Sequence, residues 1–158
     1  MNEKDKKIIL KQFSYGIFIL TATYNEKYCA STVTWVSQAS FDPPLLSVCI
    51  KRDSKSYQIV SQSKSFILHS LDSTQKKMAS DFFKPTQKVG ELLNDHPFTL
   101  LDSSSPVLTE CPAYLRCTVK DILDYGDHPL FLANILDAVV IKDYDALDLK
   151  SAGWSYGG

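Results

Sequence analysis

The chain has 158 residues, 44% of them hydrophobic and 22% charged, with a formal net charge of −1. That length buries a core without staples, and the even balance argues against a disordered tail and against a nucleic-acid partner. No run approaches the roughly 18 apolar residues of a membrane span. The charged opening 1–7 meets only Ile8, Ile9 and Leu10 before Lys11, which is not a secretory signal, so a single cytoplasmic domain over residues 1–158 is expected.

In chain order, residues 2–13 place Ile8, Ile9 and Phe13 among charges, predicting a short amphipathic helix. Residues 16–24 are β-branched and aromatic, predicting a strand. Asn25, Glu26 and Lys27 make a polar turn into a second strand, 28–38, and a third covers 45–50. A helix is expected over 56–63, a strand over 66–71, and a helix from the Asp72…Gln75 capping pattern to residue 83. Pro85, Pro97, Pro106 and Pro112 then mark a loop-rich region with one helical piece, 89–94. Strands 114–124 and 130–141 close the chain around a turn at 125–129.

Six strands with apolar residues on both faces predict a mainly β chain folded as a small closed barrel, with short helices packed outside. Ile17, Phe18, Ile19 and Leu20 supply apolar groups to both sides of one strand. The outer face then needs helices or a second subunit, and a homodimer is the expectation.

The four cysteines, Cys29, Cys49, Cys111 and Cys117, form no C-x-x-C pair, and His69, His96 and His128 offer no metal-ligand spacing. They read as reduced, small hydrophobes, with no metal site. Thr32, Thr34 and Ser37 with Gln38 give the second strand polar groups that could read a planar heterocycle, or are simply good strand and solvated residues. Asp42-Pro43-Pro44 stiffens the next connection. Lys51, Ser54 and Ser56 stand at a helix start, where unpaired N–H groups and the dipole favour an anion; the plain alternative is an N-cap at Asp53 or Ser54 with solvated Lys51 and Arg52. His128 follows Gly126-Asp127 in a turn that could overhang a pocket, although loop histidines are commonly just exposed. Trp35 and Trp154 could stack on a ring or simply bury area. No Walker loop, dinucleotide fingerprint or nucleophile elbow occurs, which turns attention to cofactor-borne chemistry.

Taken in order, Gly16-Ile-Phe-Ile-Leu-Thr-Ala, the stretch 30–45 through Asp42-Pro43-Pro44, Val48-Cys-Ile-Lys-Arg-Asp-Ser-Lys-Ser-Tyr, Phe66-Ile-Leu-His-Ser-Leu, Pro106-Val-Leu, Gly126-Asp-His-Pro-Leu-Phe and the closing Gly-Trp-Ser-Tyr-Gly-Gly resemble the flavin reductase-like family. That resemblance implies a mainly β, six-stranded, FMN-binding Greek-key split barrel with short flanking helices, FAD being the alternative, in a homodimer with flavin near the interface. By the same resemblance Thr32, Val33, Thr34 and Trp35 line the isoalloxazine through backbone groups. Cys49, Ile50, Lys51, Ser54 and Ser56 cradle the phosphate, Tyr57 and Phe83 close on the cofactor, and His128 borders the nicotinamide. Three positions depart from the family pattern: His69 for Asn, Arg116 for an acidic residue, and Lys51 for Asn.

The function expected is NAD(P)H-dependent flavin oxidoreduction, with NADH or NADPH as donor and His128 as the residue bearing on the reaction. An FMN-holding electron-transfer module serving an oxygenase or flavodiiron-type partner is the alternative. A barrel that has exchanged flavin for another ligand is the third, kept open by His69 and Arg116.

Overall fold

The computed structural model describes residues 1–102 and 105–157, so Gly158 of the closing motif lies outside the described residues. The chain begins with α1 (Glu3–Leu10), capped by the Asn2 side chain. It continues through β1 (Phe18–Tyr24), β2 (Lys27–Val33), β3 (Val36–Ser40), β4 (Leu45–Cys49), α2 (Lys55–Ser63), β5 (Ser65–Ser70) and α3 (Lys76–Asp81). Four short strands follow: β6 (Lys88–Val89), β7 (Leu92–Leu93), β8 (His96–Leu101) and β9 (Ser105–Leu108). The long β10 (Ala113–Leu123) and β11 (Leu130–Val140) end the regular structure.

Asn25 and Glu26, both at positive φ (48° and 62°), make the tight turn that folds β1 onto β2 in the register Phe18↔Val33 to Tyr24↔Lys27. Positive φ at both central residues matches the right-handed twist of paired strands. The expected strand 28–38 breaks at Thr34 and Trp35 into β2 and β3, so the main sheet has seven strands rather than six, in the order β2-β1-β5-β10-β11-β4-β3. β2 and β3 are its opposite margins, yet only Thr34 and Trp35 separate them in the chain. A two-residue link cannot cross a flat sheet of that width, since each residue spans about 3.5 Å. The sheet therefore curls until its margins meet, and residues 34–35 bridge the seam.

Side chains alternate across the curled sheet with the period of two that strands impose. Leu20 joins a core with Val48, Phe66, Leu68, Phe131 and, from α2, Ile59 and Val60. Ile17 and Ile19 join the opposite core with Leu71, Phe82, Leu93, Leu108 and Leu147. The helical piece expected at 89–94 is instead the β6–β7 hairpin, part of a four-stranded sheet ordered β6-β7-β8-β9. Val89, Leu92 and Leu93 mimic helical spacing, but Gly90 at φ 57° turns the chain back, a conformation glycine adopts without steric cost. Asp72 and Gln75 do bond reciprocally: the Asp72 N–H donates to Gln75 Oε1 at 2.9 Å and the Gln75 N–H to the Asp72 carbonyl at 2.8 Å, while Asp72 Oδ1 accepts the Thr74 N–H. They close a turn, and the helix after it ends at Asp81, short of the expected residue 83.

Among the departures, His69 is fully buried between the sheets. Its Nδ1 lies 3.0 Å from the Ile19 carbonyl and its Nε2 accepts the Leu108 N–H at 3.0 Å. One ring thus ties β1 to β9, and neither this residue nor Arg116, paired with Asp102 at 2.5 Å, lines the cleft described next. All four cysteines are free thiols. No described helix is long and apolar enough to cross a membrane.

Candidate functional site

A cleft of about 650 Å³ opens at the barrel seam, within the range usual for small-molecule sites. Its floor is the bridge Val33-Thr34-Trp35 and the end of β4 at Cys49, Ile50 and Lys51; Ser54 stands at one end. Phe82 and Phe83, just past α3, and His128, from the β10–β11 turn, line the cleft as well. Of the residues named from sequence, Thr32, Val33, Thr34, Trp35, Cys49, Ile50, Lys51, Ser54, Phe83 and His128 all border this space.

Ser56 and Tyr57 do not. Ser56 is 3% exposed, and its Oγ meets Ser31 Oγ at 2.7 Å behind the cleft wall. The Tyr57 hydroxyl donates to Asp124 Oδ2 at 3.2 Å and its ring stands edge-on to Phe131. Helical rotation accounts for this: α2 must bury Ile59 and Val60, and Ser56 falls on the same inward face.

The seam leaves donors unused. Strand pairing ends at Val33, and among the described residues the Thr34 and Trp35 N–H groups donate to no protein acceptor. Trp35 Nε1 is buried with no hydrogen-bond partner among the described residues. The Thr32 side chain is already engaged, its Oγ1 donating to the Ala79 carbonyl at 2.7 Å, while its N–H donates to the Phe82 carbonyl at 3.4 Å. Thr32 therefore positions the Phe82-Phe83 side of the cleft.

At the other end Ser54 is the N-cap of α2, its Oγ accepting the Tyr57 N–H at 3.0 Å. That bond uses a lone pair and leaves the hydroxyl proton free to donate. The Lys55 and Ser56 N–H groups have no intrahelical acceptor, as in any first turn. Lys51 Nζ lies 3.0 Å from Asp53, so an anion here would compete with an exposed carboxylate for it. Arg52 is exposed, as expected, but it is also engaged; its guanidinium bonds the Gly126 carbonyl at 2.7 Å and pairs with Asp124 at 2.6 Å. Together with Arg52 N–H to Asp127 O (2.9 Å) and Ile50 N–H to Pro129 O (3.1 Å), this clips the His128 turn to the helix start.

His128 packs on Trp35 with ring centroids 4.8 Å apart, and its Nε2 lies 2.7 Å from the Tyr156 hydroxyl. Nδ1 is 3.1 Å from Asp127 Oδ1, a charge contact lying off the hydrogen-bond axis. The His128 contact holds the Asp127 carboxyl below its ordinary value, so it is a carboxylate and favours the proton on Nδ1. Partial burial pushes the Tyr156 phenol up, leaving a neutral hydroxyl to donate to Nε2. Cys49 also borders the cleft, and burial raises its thiol, so it is not a ready nucleophile.

Tyr156, Ser31 and Ile17 line the cleft and were not singled out from the sequence. Tyr156 comes from the closing Gly-Trp-Ser-Tyr-Gly-Gly run, whose aromatic density was the available signal. Trp154, weighed there as a stacking ring, sits 5.1 Å from the Phe83 ring at the cleft's edge, under the Lys76 ammonium.

Comparison with known proteins places this geometry among relatives. The chain is 26% identical over 81% of its length to an NADH:FMN oxidoreductase of Rhodococcus qingshengii, covering 66% of that protein. It is 26% identical over 89% of its length to diflavin flavoprotein A 1 of Synechocystis, covering 25% of that one. The chain therefore spans only part of the curated relatives it matches. Among solved structures, the flavin reductase domain protein from Arthrobacter superposes with a TM-score of 0.81 at 22% identity, over 92% of this chain and 89% of that one, and shares its fold. The family model for the flavin reductase like domain matches residues 10–151, and the chain belongs to that family.

Proposed function

We propose that the protein is an NAD(P)H-dependent flavin oxidoreductase that holds FMN in the seam cleft. The observation that carries this is the cleft itself: among the described residues the N–H groups of Thr34 and Trp35 are unpaired, and a capped helix start with Lys51 and Ser54 and the His128 ring line the same space. These residues fit the group. A planar ring edge rich in carbonyl and nitrogen acceptors takes the orphan amides, and a ribityl phosphate takes the Ser54 hydroxyl, the Lys51 ammonium and the first-turn N–H groups. FAD would use the same floor.

Bound flavin supplies the redox chemistry, accepting a hydride from the nicotinamide with a proton from water. The chain's own residues bind, align and dry the site. Thr32 fixes Phe82 and Phe83 as one wall, while Arg52 sets the turn that carries His128. Through its Trp35 contact and its Nε2, His128 positions the nicotinamide and offers a proton relay at the cleft mouth. The name of the Rhodococcus relative supports FMN and NADH.

Anaerobic titration of the FMN-loaded protein with NADH and with NADPH tests the reading. Stoichiometric bleaching of the flavin spectrum is the expected result. Tight FMN binding with no bleaching by either nucleotide would establish the second reading, an electron-transfer module, which the match to a quarter of a diflavin flavoprotein favours.

For the cradle, Ser54→Ala and Lys51→Ala are each expected to weaken FMN about tenfold or more, while riboflavin changes less than about twofold. Equal weakening of both ligands in isothermal titration would put the phosphate elsewhere. Ser56→Ala serves as a contrast: its hydroxyl is buried against Ser31, so it should lower thermal stability without discriminating the two flavins.

The finer assignments follow from the surface and the thiols. Leu136 and Val140 on β11, with Ile141, are more than half exposed, as are Ile8, Ile9 and Phe13 around α1; a second copy of the chain would cover such apolar area. Four unpaired thiols suit the reducing cytoplasm. An oxygenase or other redox partner would take the electrons onward, and the whole chain acts as one flavin reductase-like domain.

A further inference from the structure

The segment after β11 is held in two different ways. Up to Trp154 the main chain fixes it: the Trp154 N–H donates to Leu149 O at 2.9 Å, and the Ala152 and Gly153 N–H groups donate to Asp148 O and Lys150 O at 3.0 Å. Leu149 and Ala152 are buried beneath. Beyond Trp154, among the described residues, the main chain of residues 155–157 makes no backbone–backbone hydrogen bond.

What holds that stretch is chiefly one side chain. The Tyr156 ring packs on Trp35 with centroids 5.4 Å apart and meets His128 edge-on at 5.9 Å, its hydroxyl 2.7 Å from Nε2. Gly157 approaches so closely that a Cβ there would come within 3.1 Å of Trp35 Cζ2, at a φ of +96° that side chains rarely adopt. Tyr156 as a residue remains 44% exposed. A planar ring with one polar atom at its tip thus occupies His128, the group that the functional reading assigns to the electron donor, and the Trp35 ring beside it.

We propose that residues 155–157 form a displaceable strap over the donor side of the cleft, latched by the Tyr156 hydroxyl on His128, and that a nicotinamide ring reaches Trp35 and His128 only when the Tyr156 ring leaves them. This rests on the flavin reductase reading and adds to it a closed state of the donor site. The strap is anchored at Trp154 and opens beyond it, where one hydrogen bond and two ring contacts break. Donor affinity is then reduced by the fraction of molecules that are open.

The test uses FMN-loaded protein titrated with tetrahydro-NADH, a redox-inert analogue of the donor, followed by its long-wavelength charge-transfer absorbance. Tyr156→Phe removes the latch, and Gly157→Ala pushes the strap off Trp35 by different physics. Both are expected to bind the analogue about three- to tenfold more tightly than the wild type, the range one hydrogen bond or ring contact provides. In the flavin-free protein, the His128 Nε2 resonance should move in Tyr156→Phe, because its donor is gone. Equal or weaker analogue binding in both variants overturns the strap, as does an unmoved His128 resonance. Wild-type protein that takes up no FMN overturns the flavin reductase reading and the strap with it; FMN uptake without tighter analogue binding overturns the strap alone.

Discussion

The variant His128→Ala is expected to reduce FMN about 10- to 100-fold more slowly than the wild type, while its FMN dissociation constant stays within about threefold. The asymmetry follows from position. His128 supplies neither the ring-reading amides nor the Ser54 and Lys51 groups, and it sits on a turn that Arg52 and Asp127 clip beside the helix start through main-chain groups the substitution leaves intact. Alanine removes the ring on Trp35 and the Nε2 at the cleft mouth without disturbing the Thr34 and Trp35 amides. Single-turnover reduction with NADH and NADPH checks the expectation. An unchanged rate with both nucleotides would take His128 out of the reaction. A large loss of FMN affinity would instead make it part of the cradle.

A second large effect is expected on stability in acid. Burial pushes His69 down from 6.5 to about 4, the hydrogen bond to the Ile19 carbonyl only partly opposing this. The unfolded chain therefore takes up a proton near pH 6.5 that the folded protein refuses until about pH 4. Stability is unaffected above that window and falls as pH drops through it, by about 3 kcal/mol in total at about 1.4 kcal/mol per pH unit. In His69→Gln, a side chain with a donor and an acceptor but no titration, that part of the loss should vanish. Urea unfolding of both proteins at about pH 7 and about pH 4.5 measures it, with the wild type expected to lose about 2.5 kcal/mol more than the variant. Equal losses would mean that protonation of other groups governs the acid transition.

His69 also shows what a resemblance leaves open. As a departure from the family pattern it kept alive a barrel with a different ligand. The structure places the ring between two strands, where both nitrogens are occupied and none faces the cleft. The cradle behaved differently. Lys51 and Ser54 were legible because helix-start chemistry depends on local sequence. Ser56, two positions on, was legible only as part of the same motif, and the facing of α2 turned it inward against Ser31. Arg52 reads as a solvated neighbour of Lys51, yet it secures the His128 turn more than 70 residues away.

From the sequence alone came the mainly β class, most strand positions, the capped helix start and the ordered motifs of the family, since each depends on alternation, turn chemistry or spacing within a short window. Tertiary structure decided the rest. Residues 28–38 carry no local signal for a break, and only curling of the sheet shows that Thr34 and Trp35 bridge its margins and leave their amides unpaired. Residues 89–94 have helical spacing, but Leu93 is buried and Val89 exposed because the hairpin, closed at Gly90, packs on a distant core. Tyr156 meets His128 across 28 positions because the seam brings the chain's closing segment to that spot, a contact that depends on long-range packing rather than on any local pattern.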